Sequence, residues 1–363
     1  MAGVYISYPF CAQKCTYCNF ASGVFPRGRE TEYLAALEAE IAGAEFAWTP
    51  ETIYLGGGTP SLMTPDQLKS ILEKIPGGPW KEATLEAAPG SITPEKAAGW
   101  RDSGINRVSL GVQSFVQPEI ARTGRKHTAA IVESDMKVLG KAGIASANID
   151  LIAGLAGQTR ESWLESLEWI GKLRPAHVSV YMLEVDEDSR LGSEIILGGK
   201  RYGASDIPSD ERIVEFYQMA REYLQGMGIE QYEISNFSKP GEESLHNLKY
   251  WLLEPYVGFG ADAHSFDGSW RWQNVESPGE YVRRFQESMP FEEERTAANP
   301  RQERFFVGLR LTRGIVPSAA DFEKYDKPIR DAVNRGLLLM EGPVLRLTPL
   351  GVLFSNEVFQ EFI

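Results

Sequence analysis

Three cysteines are the feature that most constrains this chain. Cys11, Cys15 and Cys18 are the only cysteines among 363 residues, and they fall within eight consecutive positions. They come directly after the apolar run Val4–Tyr8, which predicts a strand. A thiolate in a reducing compartment serves as a metal ligand or redox group more often than as half of a disulfide. We therefore expect one metal site at the end of the first strand.

The number of thiolates limits the kind of metal site. Three thiolates suit an iron–sulfur cluster with one open corner, whereas a structural zinc usually has four protein ligands, and no histidine lies nearby in this stretch. A catalytic zinc with three protein ligands and a water fits the same count and stays an alternative. Cysteines that only filled space in a core would be scattered along the chain. The C-x3-C-x2-C spacing favours a [4Fe–4S] cluster.

The same stretch, written as C-x3-C-x-aromatic-C, resembles the cluster loop of the radical S-adenosylmethionine (SAM) superfamily. In that family the three cysteines bind three irons of a [4Fe–4S] cluster, and the amino and carboxylate groups of SAM chelate the fourth. Electron transfer from the cluster then cleaves SAM to a 5′-deoxyadenosyl radical. The resemblance implies both cofactors for this chain, and it places Tyr17 near the adenine of SAM.

Length and charge exclude several classes of protein. A chain of 363 residues with 43% apolar residues predicts a large barrel-sized unit with a smaller one beside it. The net charge of −13 argues against nucleic acid and anionic membrane surfaces as partners, because both attract basic faces. We find neither a secretory signal pattern nor an apolar run of the ~18 residues that a membrane span needs. We expect a cytoplasmic protein.

Strand and helix patterns alternate through the first half of the chain, which predicts a parallel α/β sheet. Thr64-Pro65-Asp66 and Thr93-Pro94-Glu95 each mark a helix start with an N-cap, a proline and an acid. The predicted strands are Val4–Tyr8, Thr52–Leu55, Ala83–Ala87, Arg107–Leu110, Ala147–Ile152 and His177–Leu183. The predicted helices are Glu32–Phe46, Pro65–Ile75, Pro94–Ser103, Ala129–Ala142 and Glu161–Leu173.

Glycine and polar groups follow the predicted strands, and functional groups of barrels of this kind sit on the loops after the strands. Gly56-Gly57-Gly58-Thr59 follows the second strand, and glycines let backbone approach a ligand closely. Glu86 ends the third strand among small apolar residues, where a carboxylate needs a partner. Each signal alone also fits an ordinary turn or a buried hydrogen-bonding group.

In order along the chain, these positions match the radical SAM pattern. The family fold implied is a partial (β/α)6 TIM-like barrel. Carboxylates suit ribose hydroxyls, and an arginine suits the carboxylate of SAM. We interpret His127 as structural or at the edge of the site. By resemblance, the residues that contact SAM are Tyr5, Gly57, Gly58, Thr59, Glu86, Gln113, Arg125 and Asp150.

The second half is predicted to begin after the sixth strand, so that residues 1–184 form the barrel and residues 185–299 an extension. A helix is predicted over Glu211–Met227. The extension contains His246-Asn247-Leu248-Lys249-Tyr250-Trp251, closely followed by Gly258–Ser265. Imidazole is an axial ligand of haem iron, and tyrosine and tryptophan offer flat surfaces to a porphyrin. Packing in the hydrophobic core is an alternative explanation for the same residue types.

The order of barrel, H-N-x-x-Y-W and G-x-G-A-x-A-H-S resembles the haem chaperone (HemW-type) group, which is related to oxygen-independent coproporphyrinogen III oxidase. The resemblance implies that His246, Tyr250 and Trp251 contact haem. The expected partners are haem, apo-haemoprotein acceptors with respiratory proteins among the candidates, and an electron donor.

Two departures argue against oxidase chemistry. The oxidase has a further cysteine where this chain has Asn19-Phe20, and it has a long segment before its first strand where this chain has Met1–Gly3. We therefore do not expect coproporphyrinogen oxidase activity. Oxidative decarboxylation, radical methyl transfer and a zinc-binding interaction protein remain as alternatives.

Residues 300–363 are predicted to form a small winged-helix-like cap. The pattern comprises short helices, a hairpin at Gly342-Pro343 and an acidic final helix. Since no basic recognition face is evident, we interpret the cap as a cover for the barrel mouth or a partner surface. The predicted helices are Arg301–Leu311, Ser318–Tyr325, Pro328–Arg335 and Pro349–Phe362.

Overall fold

The computed structural model describes residues 2–363. Six parallel strands form the centre of the sheet, and at least one helix follows each of them. The strands are β1 (Ala2–Tyr8), β2 (Pro50–Gly57), β3 (Glu82–Ala87), β4 (Arg107–Gln113), β5 (Ser146–Ala153) and β6 (His177–Met182). The helices among and after them are α1 (Arg27–Gly43), α2 (Pro65–Leu72), α3 (Pro94–Asp102), α4 (Gln117–Arg122), α5 (Ala129–Ala142), α6 (Arg160–Leu173) and α7 (Arg190–Ile196).

The predicted helix starts at Thr64 and Thr93 are confirmed. The Thr64 side chain accepts a hydrogen bond from the backbone N–H of Gln67, whose own side chain bonds back to the Thr64 backbone. The Thr93 side chain likewise accepts from the Lys96 N–H. Because these caps satisfy amides that the first turn leaves free, both helices begin where the local sequence predicts.

The second half of the chain extends the same sheet at both edges. Its first elements are α8 (Asp210–Gly226), β7 (Glu230–Gln231), β8 (Asn236–Ser238), α9 (Leu245–Trp251), β9 (Tyr256–Phe259), β10 (His264–Phe266), β11 (Trp270–Asn274), α10 (Pro278–Gln286) and β12 (Glu292–Ala297). The strand order is β12-β11-β10-β9-β1-β2-β3-β4-β5-β6-β8-β7, with β9 parallel to β1 and β8 antiparallel to β6. The sheet is thus continuous across residue 184, and the domain boundaries at 184 and 299 stay predictions.

The central strands curve around a cavity. Gly58 at the end of β2 and Tyr181 on β6 line the same cavity of about 480 Å³. Four strand spacings separate β2 from β6, so in a flat sheet these strands would lie about 19 Å apart. The sheet must therefore bend, as a partial barrel does, and its inner face surrounds the cavity.

The last residues form helices around a two-stranded hairpin and share the hydrophobic core of the barrel. These elements are α11 (Pro300–Glu303), α12 (Ala319–Asn334), β13 (Leu338–Glu341), β14 (Val344–Leu347), α13 (Pro349–Leu353) and α14 (Ser355–Gln360). The hairpin at Gly342-Pro343 is confirmed, since Glu341 pairs with Val344. The two helices predicted over residues 318–335 form one helix, α12, which kinks at Tyr325 and contains Pro328. A winged-helix-like assignment for this part stays a prediction. Within residues 2–363, we find no helix with the length and apolar character of a membrane span.

Candidate functional site

The cavity lies at the carboxyl ends of the parallel strands, where the loops after β1, β2, β3 and β4 meet. Its lining includes all three cysteines and seven of the eight residues predicted to contact SAM. Residues up to 139 positions apart along the chain therefore lie around one space. The predicted site residues that line this cavity are Cys11, Cys15, Cys18, Gly57, Gly58, Thr59, Glu86, Gln113, Arg125 and Asp150.

The cysteine loop is held on both sides by backbone hydrogen bonds. The Thr16 N–H donates to the Thr123 carbonyl oxygen at 3.2 Å, and the Leu191 N–H donates to the Thr16 carbonyl oxygen at 2.8 Å. The Cys11 N–H donates to Gly23 at 2.8 Å. All three cysteines are free thiols and half-buried. Among residues 2–363, no three His, Cys, Asp or Glu side chains are grouped as the ligands of a single metal ion.

The glycines after β2 bring this strand end against the cysteine loop. A Cβ atom on Gly58 would lie 2.8 Å from the carbonyl oxygens of Tyr8 and Phe10, so only glycine fits there. The N–H groups of Gly58 and Thr59 donate to these two carbonyl oxygens, at 2.8 and 2.9 Å. These two amides position the cysteine loop and are not available to a ligand.

Glu86 is the carboxylate closest to the glycine loop. It accepts a hydrogen bond from the Tyr54 hydroxyl at 2.9 Å. Burial raises the pKa of Glu86 to about 7, and nearby Asp150 adds to the increase. The group therefore changes charge near neutral pH, where ionisation favours a cationic ligand.

Asp150 on β5 belongs to a polar network on the inner face. Its carboxylate accepts from Asn148 Nδ2 at 2.7 Å and from the Ser109 hydroxyl at 3.1 Å. Burial raises the pKa of Asp150, while hydrogen bonds from Ser179, Asn148 and Ser109 oppose that shift. The network orients the carboxylate toward the cavity that it lines.

Gln113 is held in a costly conformation. Its φ of +71° lies in the left-handed region that non-glycine residues rarely adopt, and the pairing of β4 with β5 is irregular at this position. Its Oε1 atom is buried without a hydrogen-bond partner among the described residues. A buried acceptor without a donor is unfavourable, so Gln113 suits a ligand that brings an N–H or O–H group.

Arg125 connects the β4 side of the cavity to the cysteine loop. Its Nε donates to Cys15 Sγ at 3.2 Å and its Nη1 to the Gly111 carbonyl oxygen at 2.6 Å. These two N–H groups are thus engaged by the protein, although Arg125 was predicted to bind the carboxylate of SAM. The guanidinium has five N–H groups, so others remain for a ligand. Nearby, His127 is buried and its pKa is lowered to about 4 by burial, in keeping with a structural role at the edge of the site.

Tyr5 lies in a smaller cavity of about 120 Å³ that adjoins the first one. Phe20, Gly57 and Glu86 line both cavities, and Asp262 lines the smaller one. The sequence reasoning did not identify Asp262 as part of this site. Asp262 lies within the G-x-G-A-x-A-H-S stretch, which the sequence analysis interpreted only in terms of haem. Ser109 and Gly111 were also missed, although they occupy the positions four and two residues before Gln113 on β4.

His246, Tyr250 and Trp251 lie on α9, at the opposite end of the barrel from the cysteine loop. His246 is 0% exposed; its Nδ1 lies 2.9 Å from the Thr52 hydroxyl oxygen and its Nε2 2.8 Å from the Tyr250 hydroxyl oxygen. Burial lowers the pKa of His246 to about 3, so the ring is neutral. The Trp251 ring packs under the guanidinium of Arg310. In this arrangement both His246 nitrogens are used within the protein.

The chain resembles known proteins over its whole length. Residues 5–170 match the radical SAM superfamily model. All of the chain aligns with 99% of the haem chaperone HemW of Bacillus subtilis at 34% identity, and 94% of it with 83% of HemW of Escherichia coli at 30% identity. The solved structure of coproporphyrinogen III oxidase (HemN) from E. coli, a radical SAM enzyme, matches at 21% identity with a TM-score of 0.84, covering 99% of this chain and 89% of that chain. The structural likeness confirms the predicted α/β fold class.

Proposed function

The chain belongs to the radical SAM superfamily and, within it, to the HemW-type haem chaperones, and on that premise we propose that it binds a [4Fe–4S] cluster, SAM and haem and transfers haem to acceptor haemoproteins. The observation that carries the proposal is the similarity to HemW at 34% identity across the entire chain. An electron donor and a cytoplasmic location are part of the same proposal.

The cavity supports the two resident cofactors by the chemistry of its lining. Cys11, Cys15 and Cys18 would hold the cluster, because three thiolates leave one corner open to a further ligand. Glu86 and Asp150 would accept hydrogen bonds from ribose hydroxyls, and Gln113 Oε1 would accept from a donor on SAM. The cluster together with SAM supplies one-electron chemistry, and the protein residues bind and orient both.

Anaerobic reconstitution followed by iron and acid-labile sulfide analysis tests the cluster. We expect about four irons and about four sulfides per chain. We also expect the visible absorbance of the cluster to be lost in Cys11→Ala, Cys15→Ala and Cys18→Ala. Asn19→Ala is a matched control, because Asn19 lies beside Cys18, is exposed, and its side chain donates a hydrogen bond to Asp186. Zinc without sulfide, or a full chromophore in any cysteine variant, would contradict the assignment.

Haemin titration of the purified protein, with and without the reconstituted cluster, tests the cargo. We expect saturable binding, seen as a shifted Soret band, and passage of the haem to an added apo-haemoprotein. The alternative, oxidase chemistry, is tested by anaerobic turnover of coproporphyrinogen III with SAM and a reductant. Formation of protoporphyrinogen, or absence of saturable haem binding, would overturn the proposed function.

A further inference from the structure

We propose that Asp262 is a binding residue of the SAM site, and that its carboxylate recognises the positively charged sulfonium of SAM from the smaller cavity. This inference rests on the proposed function, because it names a residue that selects one of the proposed cofactors. Asp262 is then the residue by which the site distinguishes SAM from an uncharged thioether of similar shape.

The smaller cavity shares a wall with the large one. Phe20, Gly57 and Glu86 line both cavities, and Asp262 lines the smaller one. A Cβ atom on Gly57 would lie 3.5 Å from the hydroxyl oxygen of Tyr5, which also lines the smaller cavity. A ligand that occupies the large cavity beside Glu86 therefore has the smaller cavity, with Asp262, directly next to it.

The two cavities differ in charge. The large cavity is lined by the cations Lys14 and Arg125 as well as by carboxylates. The smaller cavity is lined by the carboxylates of Glu86 and Asp262, and none of its described lining residues is a lysine, arginine or histidine. Burial raises the pKa of the Tyr5 hydroxyl, and the charges of Glu86 and Asp262 add to that increase, so both carboxylates lie near this ring. This end of the site thus favours a positively charged group.

The Asp262 carboxylate has an oxygen available to a ligand. Its Oδ1 accepts from Gln273 Nε2 at 3.0 Å, and this is the only side-chain hydrogen bond of Asp262 among the described residues. Burial raises the pKa of Asp262, whereas the nearby His264 and the hydrogen bond from Gln273 lower it. A half-buried carboxylate with one free oxygen is stabilised by a cationic partner. Gln273 thus orients the carboxylate and leaves Oδ2 for that partner.

The turn that carries Asp262 is fixed by the surrounding structure. The Ala261 N–H donates to the Tyr33 hydroxyl at 2.9 Å, and the Asp262 N–H donates to the Val275 carbonyl oxygen at 2.9 Å. Asp262 has a φ of +60°, in the left-handed region that aspartate adopts more readily than most residues do. Because the carboxylate is held in place before a ligand arrives, less conformational freedom is lost on binding.

The chemistry of SAM leaves its sulfonium for this carboxylate. SAM carries positive charge on its amino group and on its sulfonium. In the radical SAM superfamily the amino and carboxylate groups chelate the cluster, so the sulfonium is the charge that remains. The sulfur is joined to the ribose through a single methylene group. A ribose bonded to Glu86 would therefore bring the sulfonium to the wall that the two cavities share.

Equilibrium dialysis of the reconstituted full-length protein against SAM and S-adenosylhomocysteine tests the assignment. S-adenosylhomocysteine keeps the amino, carboxylate and adenosine groups of SAM, but its sulfur is an uncharged thioether. We expect Asp262→Asn to weaken SAM binding by about tenfold and S-adenosylhomocysteine binding by less than about twofold, because only SAM loses a charge interaction. Asp262→Gly should lose the same selectivity, and glycine adopts the positive φ of this turn without strain.

Asp267→Asn is the matched control. Asp267 lies in the turn between β10 and β11, accepts from the N–H groups of Ser269 and Trp270 at 2.7 Å, and lines neither cavity. This variant should bind both ligands like the wild type. Circular dichroism of each variant establishes that it is folded.

The outcomes separate this assignment from the proposed function. If the wild type binds neither ligand, the proposed SAM site fails and the role of Asp262 fails with it. If the wild type binds both without preferring SAM, or if the Asp262 variants retain its preference, only the Asp262 assignment is overturned. An equal loss of both ligands in folded variants would also overturn it, because the carboxylate would then act on the shape of the site or on the shared amino group.

Discussion

The Nε of Arg125 lies 3.2 Å from Cys15 Sγ, and this contact joins the segment between α4 and α5 to the cysteine loop after β1. Arg125 remains cationic even when buried, so it places a permanent positive charge beside one cluster ligand. Hydrogen bonds to the sulfurs and nearby charge are among the factors that set the reduction potential of an iron–sulfur cluster. The contact thus connects the fold of the barrel with the electronic properties expected of the site.

Replacing Arg125 by glutamine should lower the reduction potential of the reconstituted cluster by roughly tens of millivolts. The reason is that the reduced cluster loses a neighbouring cation that stabilises its additional negative charge. Potentiometric titration followed by electron paramagnetic resonance measures the change. Arg122→Gln is the control, since Arg122 bonds through its side chain to the Ala156 carbonyl and pairs with Asp206, away from the thiols. An unchanged potential in Arg125→Gln would contradict this role.

SAM binding should depend on pH through Glu86. With a folded pKa of about 7, the ionised fraction of this group rises roughly tenfold between pH 6 and pH 8. Because SAM is cationic at its sulfonium, we expect its affinity to increase by up to about that factor over this range. Equilibrium dialysis with the reconstituted protein measures the affinity, and Glu86→Gln should remove the pH dependence.

Glu40 provides the matched control for this experiment. Burial raises its pKa to about 7 as well, but it bonds to Tyr281, Asn274 and the Gly260 backbone and does not line either cavity. Both carboxyls hold protons that the unfolded chain releases above pH 4.5, so both make stability fall as pH rises from about 4.5 to 7. Only Glu86→Gln should change the pH profile of SAM binding; the same change in Glu40→Gln would refute the assignment.

Gln113→Gly should stabilise the cofactor-free protein and weaken SAM binding. Glycine adopts a positive φ without strain, and the substitution also removes a buried acceptor without a partner, so we expect a gain of about 1 kcal/mol in the free energy of unfolding. Urea denaturation and dialysis measure the two effects. Ser288→Gly relieves a φ of +54° at an exposed site outside both cavities, so it should leave SAM affinity unchanged. Undiminished SAM affinity in Gln113→Gly would contradict a binding role.

Glu82→Ala should destabilise the protein by about 3 kcal/mol or more, because it leaves buried N–H groups at the start of α9 without an acceptor. Glu82 also accepts from the Ser244 hydroxyl at 3.0 Å, so one carboxylate caps the whole helix start. Chemical denaturation measures the loss. Glu95→Ala removes an exposed acid from the first turn of α3 and should have a much smaller effect. Equal losses in the two variants would mean that Glu82 does not anchor α9.

The prediction from sequence was most successful where the chemistry is local. The strand-to-helix alternation, the caps at Thr64 and Thr93 and the hairpin at Gly342 each depend on a few adjacent residues, and the structure contains all of them. The residues predicted around SAM also lie together, because parallel strands bring their carboxyl ends to one side of the sheet. The periodicity of the second half did not indicate that β9 pairs with β1, since β9 has four residues and its partner lies more than 240 positions away.

The sequence by itself determined that three thiolates would stand together, because they occupy eight consecutive positions at the end of a strand. Only the tertiary structure decided which histidine of the second half is exposed. His246 and His264 lie 18 residues apart in the same region of the sequence, yet packing of α9 on β1 and β2 buries the first, and the turn between β9 and β10 exposes the second. Burial depends on contacts between distant segments, and residue type alone does not encode it.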